Sequence, residues 1–100
     1  MDNITVLIVE PPKQLRTAEI MNTLETLQDI VGGTIEPVHL TRDFVMIVNK
    51  KDKEQGLPYN CRYARKEIYG SFIIARRDRV KVASMEPDDV MVYKSIFKHL

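Results

Sequence analysis

The stretch Asn22–Val38, N-T-L-E-T-L-Q-D-I-V-G-G-T-I-E-P-V, holds a helix start, an apolar face, a helix stop and the beginning of the next strand. Asn22 can accept a hydrogen bond from the free N–H groups of a first turn, and Glu25, three residues on, can reach back to close a capping box. Ile20, Leu24, Leu27, Ile30 and Val31 recur on one face at the 3.6-residue period. Gly32 can take the left-handed conformation that ends a helix without a Cβ penalty. The pattern predicts a helix over Asn22–Val31.

On the N-terminal side, Ile4–Glu10 (I-T-V-L-I-V-E) is β-branched and apolar at both parities, as expected of an internal strand covered on both faces. Pro11 and Pro12 end it, and Leu15–Ile20 offers a short extended segment before the helix. On the C-terminal side, Thr34–Leu40 contains Pro37, which confines it to a sheet edge, a bulge or a strand end. Phe44–Asn49 (F-V-M-I-V-N) reads as a second central strand. Asn49–Gln55 is wholly polar and predicts an exposed loop or hairpin tip, and Gly56–Asn60 (G-L-P-Y-N) predicts a fixed bend.

Cys61–Tyr69 reads as a short helix capped by Asn60, with Cys61, Ala64 and Ile68 on one face and Arg62, Arg65, Lys66 and Tyr69 beside them. Gly70–Arg76 is apolar enough for another buried strand. Arg77–Arg79 makes a charged turn into Val80–Ala83, a half-exposed strand, so the two should form a hairpin. The last segment opens with Ser84 or Glu86 as cap, Pro87 in the first turn, and Asp88 and Asp89 where the helix dipole favours negative charge. Val90, Tyr93, Ile96, Phe97 and Leu100 complete the stripe of a terminal helix.

One hundred residues make one domain, residues 1–100, large enough to bury a core without a staple. Cys61 stands alone, which excludes an internal disulfide, and the amino terminus has no charged leader followed by an apolar run. No apolar run approaches the ~20 residues of a membrane span, so a cytoplasmic protein with no membrane role is expected. The net charge of +1 is uneven. Residues 50–81 carry ten basic and four acidic side chains, a net +6, which leaves −5 for the rest. That segment favours an anionic partner; the competing reading is a solvated surface of loops and hairpin ends. Strong overall acidity, which a DNA mimic needs, is absent.

Four stretches, V-L-I-V-E-P (6–11), T-L-E-T-L-Q-D-I-V-G-G-T-I-E-P-V (23–38), G-L-P-Y-N (56–60) and Y-G-S-F-I-I-A (69–75), together resemble a family of small proteins classed as a domain of unknown function. The similarity runs in order over Val6–Phe97. Members occur in phages, plasmids and other bacterial mobile elements, so the resemblance implies an accessory protein acting on host processes or defences, with no assigned chemistry. Many relatives read G-L-P-x-N-R. Here Cys61 follows the asparagine and Arg62 comes one place later.

The candidate site is Gly56–Lys66 together with Tyr69. Asn60 would open a helix whose N–H groups take anions, Tyr59, Tyr63 and Tyr69 offer faces for stacking a base, and Arg62, Arg65 and Lys66 can pair with phosphate. Against this, Gly56 and Pro58 can simply shape a turn, with the tyrosines packed and the cations solvated. Neither standard glycine-rich phosphate-loop spacing is present. His39, His99 and Cys61 are too scattered for a zinc site, and Asp88 and Asp89 are explained as helix-start residues. No paired acid and base and no activated nucleophile emerges, so no catalytic residue, metal or cofactor is assigned. Met91 and Val92 fall off the inner stripe of the last helix and suit a subunit interface, which points to a homo-oligomer.

The expected fold is α+β, a mixed or mostly antiparallel sheet of four to six strands with two helices packed on it. The expected function is non-enzymatic capture of a small anionic, nucleotide-like host ligand by a mobile-element protein. Inhibition of a host protein and nucleic-acid binding are the alternatives.

Overall fold

The computed structural model describes residues 2–100. The chain runs β1 (Asn3–Glu10), β2 (Gln14–Met21), α1 (Leu24–Val31), β3 (Ile35–His39), β4 (Phe44–Asn49), β5 (Tyr59–Tyr63), β6 (Lys66–Tyr69), β7 (Phe72–Asp78), β8 (Lys81–Ala83) and α2 (Pro87–Lys98). Six strands make one sheet, ordered β2-β1-β7-β4-β3, with β8 added to β7; every pairing is antiparallel. β5 and β6 form a separate two-stranded sheet. Among the described residues no helix is long and apolar enough to cross a membrane.

β1, β4 and β7 are apolar at both parities because both faces of the sheet are covered. Val6, Ile8, Val45, Ile47, Ile73 and Ala75 pack with Leu27 and Val31 of α1. Leu7, Val9, Met46, Val48, Phe72 and Ile74 pack on the other side with Val90, Tyr93 and Phe97 of α2 and with Cys61 and Ile68 of the small hairpin. Each large side chain so buried contributes about 1.5–3 kcal/mol relative to exposure. Pro37 sits, as its missing N–H requires, in the edge strand β3.

α1 starts later than the Asn22–Glu25 pattern predicts. β2 stays paired with β1 as far as Met21, and the Asn22 N–H still reaches Asp2 O at 3.0 Å, so Asn22 belongs to the strand end. Its side chain donates to Val82 O at 2.9 Å, and Thr23 caps the helix, its hydroxyl accepting from the Thr26 N–H at 3.1 Å. Ile20 therefore reaches the α1 core from β2, while Leu24 is 58% exposed. The stop is as read: Gly32 has φ 85° and its N–H bonds Gln28 O at 2.8 Å.

The predicted helix over Cys61–Tyr69 is instead the β5–β6 hairpin. Its two-residue turn, Ala64 and Arg65, holds φ of 52° and 62°. Both central residues are left-handed, matching the twist of the flanking strands, yet neither is the Asn or Gly that announces such a turn. Alternation then sends Cys61 and Tyr63 inward, with the Tyr63 ring centroid 4.7 Å from that of Phe97.

α2 is capped by Glu86, whose N–H bonds Asp89 Oδ2 at 2.8 Å, with Pro87 in the first turn. Of its predicted stripe, Val90, Tyr93 and Phe97 are buried, whereas Ile96 and Leu100 are exposed beside Met91 and Val92. Asp89 also accepts two bonds from Arg76 of β7, at 2.6 and 3.0 Å, and the guanidinium lies 4.9 Å from the Phe44 ring centroid. Chiefly because of the Arg76 hydrogen bonds, Asp89 is held below the usual carboxylate range. Its stabilising contribution is present above the unfolded-state value, about pH 4, and is lost as pH falls through the lower folded value. Asp89→Asn is thus expected to lower the melting temperature at pH 7 and to flatten the acid limb below about pH 4, measured by thermal denaturation across pH.

Candidate functional site

The segment between β4 and β7 carries most of the predicted site, and three buried polar side chains fix it to α1, within itself and to the sheet. Asn49 donates to Val31 O, closing the end of α1, and accepts from the Lys51 N–H at 2.8 Å. Asp52 accepts from the Tyr69 N–H at 2.9 Å through Oδ2 and from the Lys53 N–H at 2.7 Å through Oδ1. Asn60, 4% exposed, donates from Nδ2 to Val9 O at 2.9 Å and Gly70 O at 2.8 Å, and accepts the Lys13 N–H at 2.9 Å. So Asn60 is no helix cap holding an anion. All its polar capacity facing the protein is spent joining β1, the β1–β2 turn and the start of β7.

The two motifs around it interlock. The Gly70 N–H bonds Pro58 O at 2.7 Å, and Leu57 covers Gly70 so closely that a Cβ there would lie 2.7 Å from Leu57 Cδ1. G-L-P-Y-N and Y-G-S-F thus act as the clasp that folds the hairpin back over the sheet. Polar Asn49 and Asp52, read as part of an exposed loop, are its other fixings.

Of the remaining predicted residues, Tyr59, Arg62 and Tyr69 gather on the outer side of the hairpin. Tyr59 is half exposed and meets Tyr69 edge-on at 5.3 Å, and Lys53 Nζ lies 5.6 Å from the Tyr69 ring centroid. Arg62, with its side chain 68% exposed, shares Glu67 at 3.7 Å, an open pair that contributes little and leaves the guanidinium free to turn to a ligand. The same Glu67 carboxylate, through a hydrogen bond, pushes the Tyr59 phenol up. Arg65 projects from the exposed turn, and Lys66 reaches across to Glu36 of β3 at 3.5 Å. Tyr63 is turned inward onto Phe97 and offers no stacking face at this surface.

Tyr59 and Arg62 line an open groove of about 470 Å³ with Pro12, Lys13, Asn60, Cys61 and Leu100, Asn60 contributing to the wall although its amide is already hydrogen-bonded. Lys13 is the residue that the sequence reading missed. The β1–β2 turn holds it at φ 55° with its N–H on Asn60, and its Nζ bonds Leu100 O at 3.0 Å. On the far side of Lys13 the surface continues as a second groove of about 560 Å³, walled by Leu15, Phe97, Lys94, Lys98 and His99. Lys13 is common to the two grooves, one bordered also by Arg62 and the other by Lys94 and Lys98. The signal for Lys13 was Pro11–Pro12, which forces a tight return of the chain and places the next residue against whatever packs on the strand end.

Burial pushes the Cys61 thiol up, against formation of a nucleophilic thiolate. His39 lies on β3 and the His99 ring near the end of α2, where Nδ1 is 2.8 Å from Ser95 O. Among the described residues no group of three His, Cys, Asp or Glu side chains is placed to hold a metal ion.

A family model described as a domain of unknown function, DUF3846, matches residues 4–98. No curated protein matches the chain, and no solved structure matches it.

Proposed function

The chain belongs to this family, DUF3846, and we propose that it is a non-enzymatic accessory protein of a phage or other mobile element. On this reading it works in the cytoplasm of a bacterial host, capturing a small anionic, nucleotide-like ligand of a host defence. The observation that carries the reading is the groove shared by Lys13, Tyr59 and Arg62, where two cations flank an open aromatic face. An exposed phenol ring offers stacking area that tolerates different bases, and a guanidinium can take a phosphate with two parallel hydrogen bonds. The resemblance to mobile-element proteins supplies the biological setting.

Isothermal titration with a panel of linear and cyclic nucleotides tests it. Lys13→Ala and Arg62→Ala are expected to weaken binding at least tenfold while leaving the fold intact, because both side chains are anchored outside the core. Glu67→Gln is expected to tighten binding a few-fold, since the carboxylate competes for Arg62. Affinities unchanged in all three variants would place the ligand elsewhere. A second reading, a protein partner or a second copy held by α2, is favoured by Met91 and Val92, which are consecutive on the helix and 68% and 57% exposed.

A further inference from the structure

α1 is only eight residues long and leaves one end of its face of the sheet bare. There Val45 and Val82, which share the α1 core, form with Pro37 the aliphatic floor of a cleft of about 230 Å³, and Val80 stands at its rim. His39, Arg77, Arg79 and Lys81 complete its lining, and no carboxylate does. Among the described residues the four ion pairs of the protein leave Arg77, Arg79 and Lys81 out. The Arg77 Nε instead donates to Arg79 O at 3.2 Å.

The β7–β8 turn beside the cleft goes against local preference twice. Arg79 sits at φ 60° without being glycine, and Val80, a β-branched apolar residue, is 97% exposed. Such departures from local preference concentrate where a surface has a task. The cleft lies across the sheet from the Lys13–Arg62 groove, so it is a separate surface.

We propose that this cleft docks an acidic segment of a partner protein that inserts one apolar side chain between flanking carboxylates. Charge complementarity sets the acidic character of the partner. The aliphatic floor sets the anchor, because its volume falls below the usual ~300 Å³ of a small-molecule pocket and suits a single buried side chain. Single-stranded nucleic acid fits less well: binding of that kind relies on aromatic platforms for the bases, and no phenylalanine, tyrosine or tryptophan lines the cleft.

The test is fluorescence anisotropy of the full chain with labelled twelve-residue peptides of aspartate and glutamate carrying leucine, phenylalanine or serine at the centre. A single-stranded oligonucleotide of matched charge runs alongside. The expected result is saturable binding of the leucine or phenylalanine peptide, at least tenfold weaker for the serine peptide and for the Arg79→Glu, Lys81→Glu double variant. Arg79→Gly, which keeps the turn and removes only one cation, should lose a smaller fraction, and Arg62→Ala should bind as the unaltered protein does. The proposal is overturned if no peptide binds saturably, if the serine peptide or the charge-reversed protein binds equally well, or if the oligonucleotide binds more tightly than the peptides.

Discussion

Asn60→Ala is expected to destabilise the fold by about 3 kcal/mol, roughly 12–20 °C in melting temperature for a domain of this size. The substitution strands Val9 O, Gly70 O and the Lys13 N–H at a position that is 4% exposed, where water cannot easily replace the lost partners. A buried polar group left alone costs about 1–3 kcal/mol, and the Asn60 amide serves three such groups at once. Urea denaturation followed by circular dichroism should show a lower midpoint with an unchanged slope. The opposite pattern, normal stability with lost ligand binding, would make Asn60 a ligand residue and this account of the clasp wrong.

Gly70→Ala should cost about 2 kcal/mol by a different route. Gly70 holds φ 77°, where a Cβ is strained by roughly 1–2 kcal/mol, and the new methyl would lie 2.7 Å from Leu57 Cδ1 and 3.3 Å from Leu57 Cβ. The clash and the backbone strain can be separated. In a Leu57→Ala background the 2.7 Å clash with Cδ1 is gone and only the 3.3 Å approach to Cβ is left, so adding Gly70→Ala should cost less than it does alone, and the double-mutant cycle should give a clear favourable coupling. Strict additivity would mean that Leu57 does not close over Gly70.

The parts of the fold readable from the residues are those where burial alone decides. β1, β4 and β7 announce themselves as apolar runs because helices and hairpin cover both sheet faces, and Pro37 marks β3 as an edge. The start of α2 is written in Glu86, Pro87 and Asp89, which make the cap locally, although Asp89 also accepts from Arg76 of β7. What misled was chemistry decided at a distance. Asn22 and Asn60 both suit a helix cap, but each is claimed by a distant partner: Val82 O for one, and β1 with the β1–β2 turn for the other. The β5–β6 turn gave no warning because Ala64 and Arg65 take left-handed backbones that their side chains do not favour.

For the site the balance is different. Tyr59, Asn60 and Arg62 line one groove, but the Asn60 amide is spent on partners inside the protein, Tyr63 points inward and Lys66 turns to Glu36. The basic segment of residues 50–81 is one stretch in sequence but two surfaces in space. Lys53 and Arg62 border the outer hairpin, and Arg77, Arg79 and Lys81 ring the cleft across the sheet. Lys13, forty-seven positions before Asn60, could enter the site only through the fold.

Capture of an anionic ligand without turnover can be read in a native mass spectrum. The protein would be sprayed before and after incubation with host lysate and with linear and cyclic nucleotides, giving subunit count and bound mass in one spectrum. The expected spectrum shows a discrete added mass that heating releases chemically unaltered and that Lys13→Ala and Arg62→Ala no longer retain. Bare protein across the whole panel, or a ligand recovered in changed form, would contradict it.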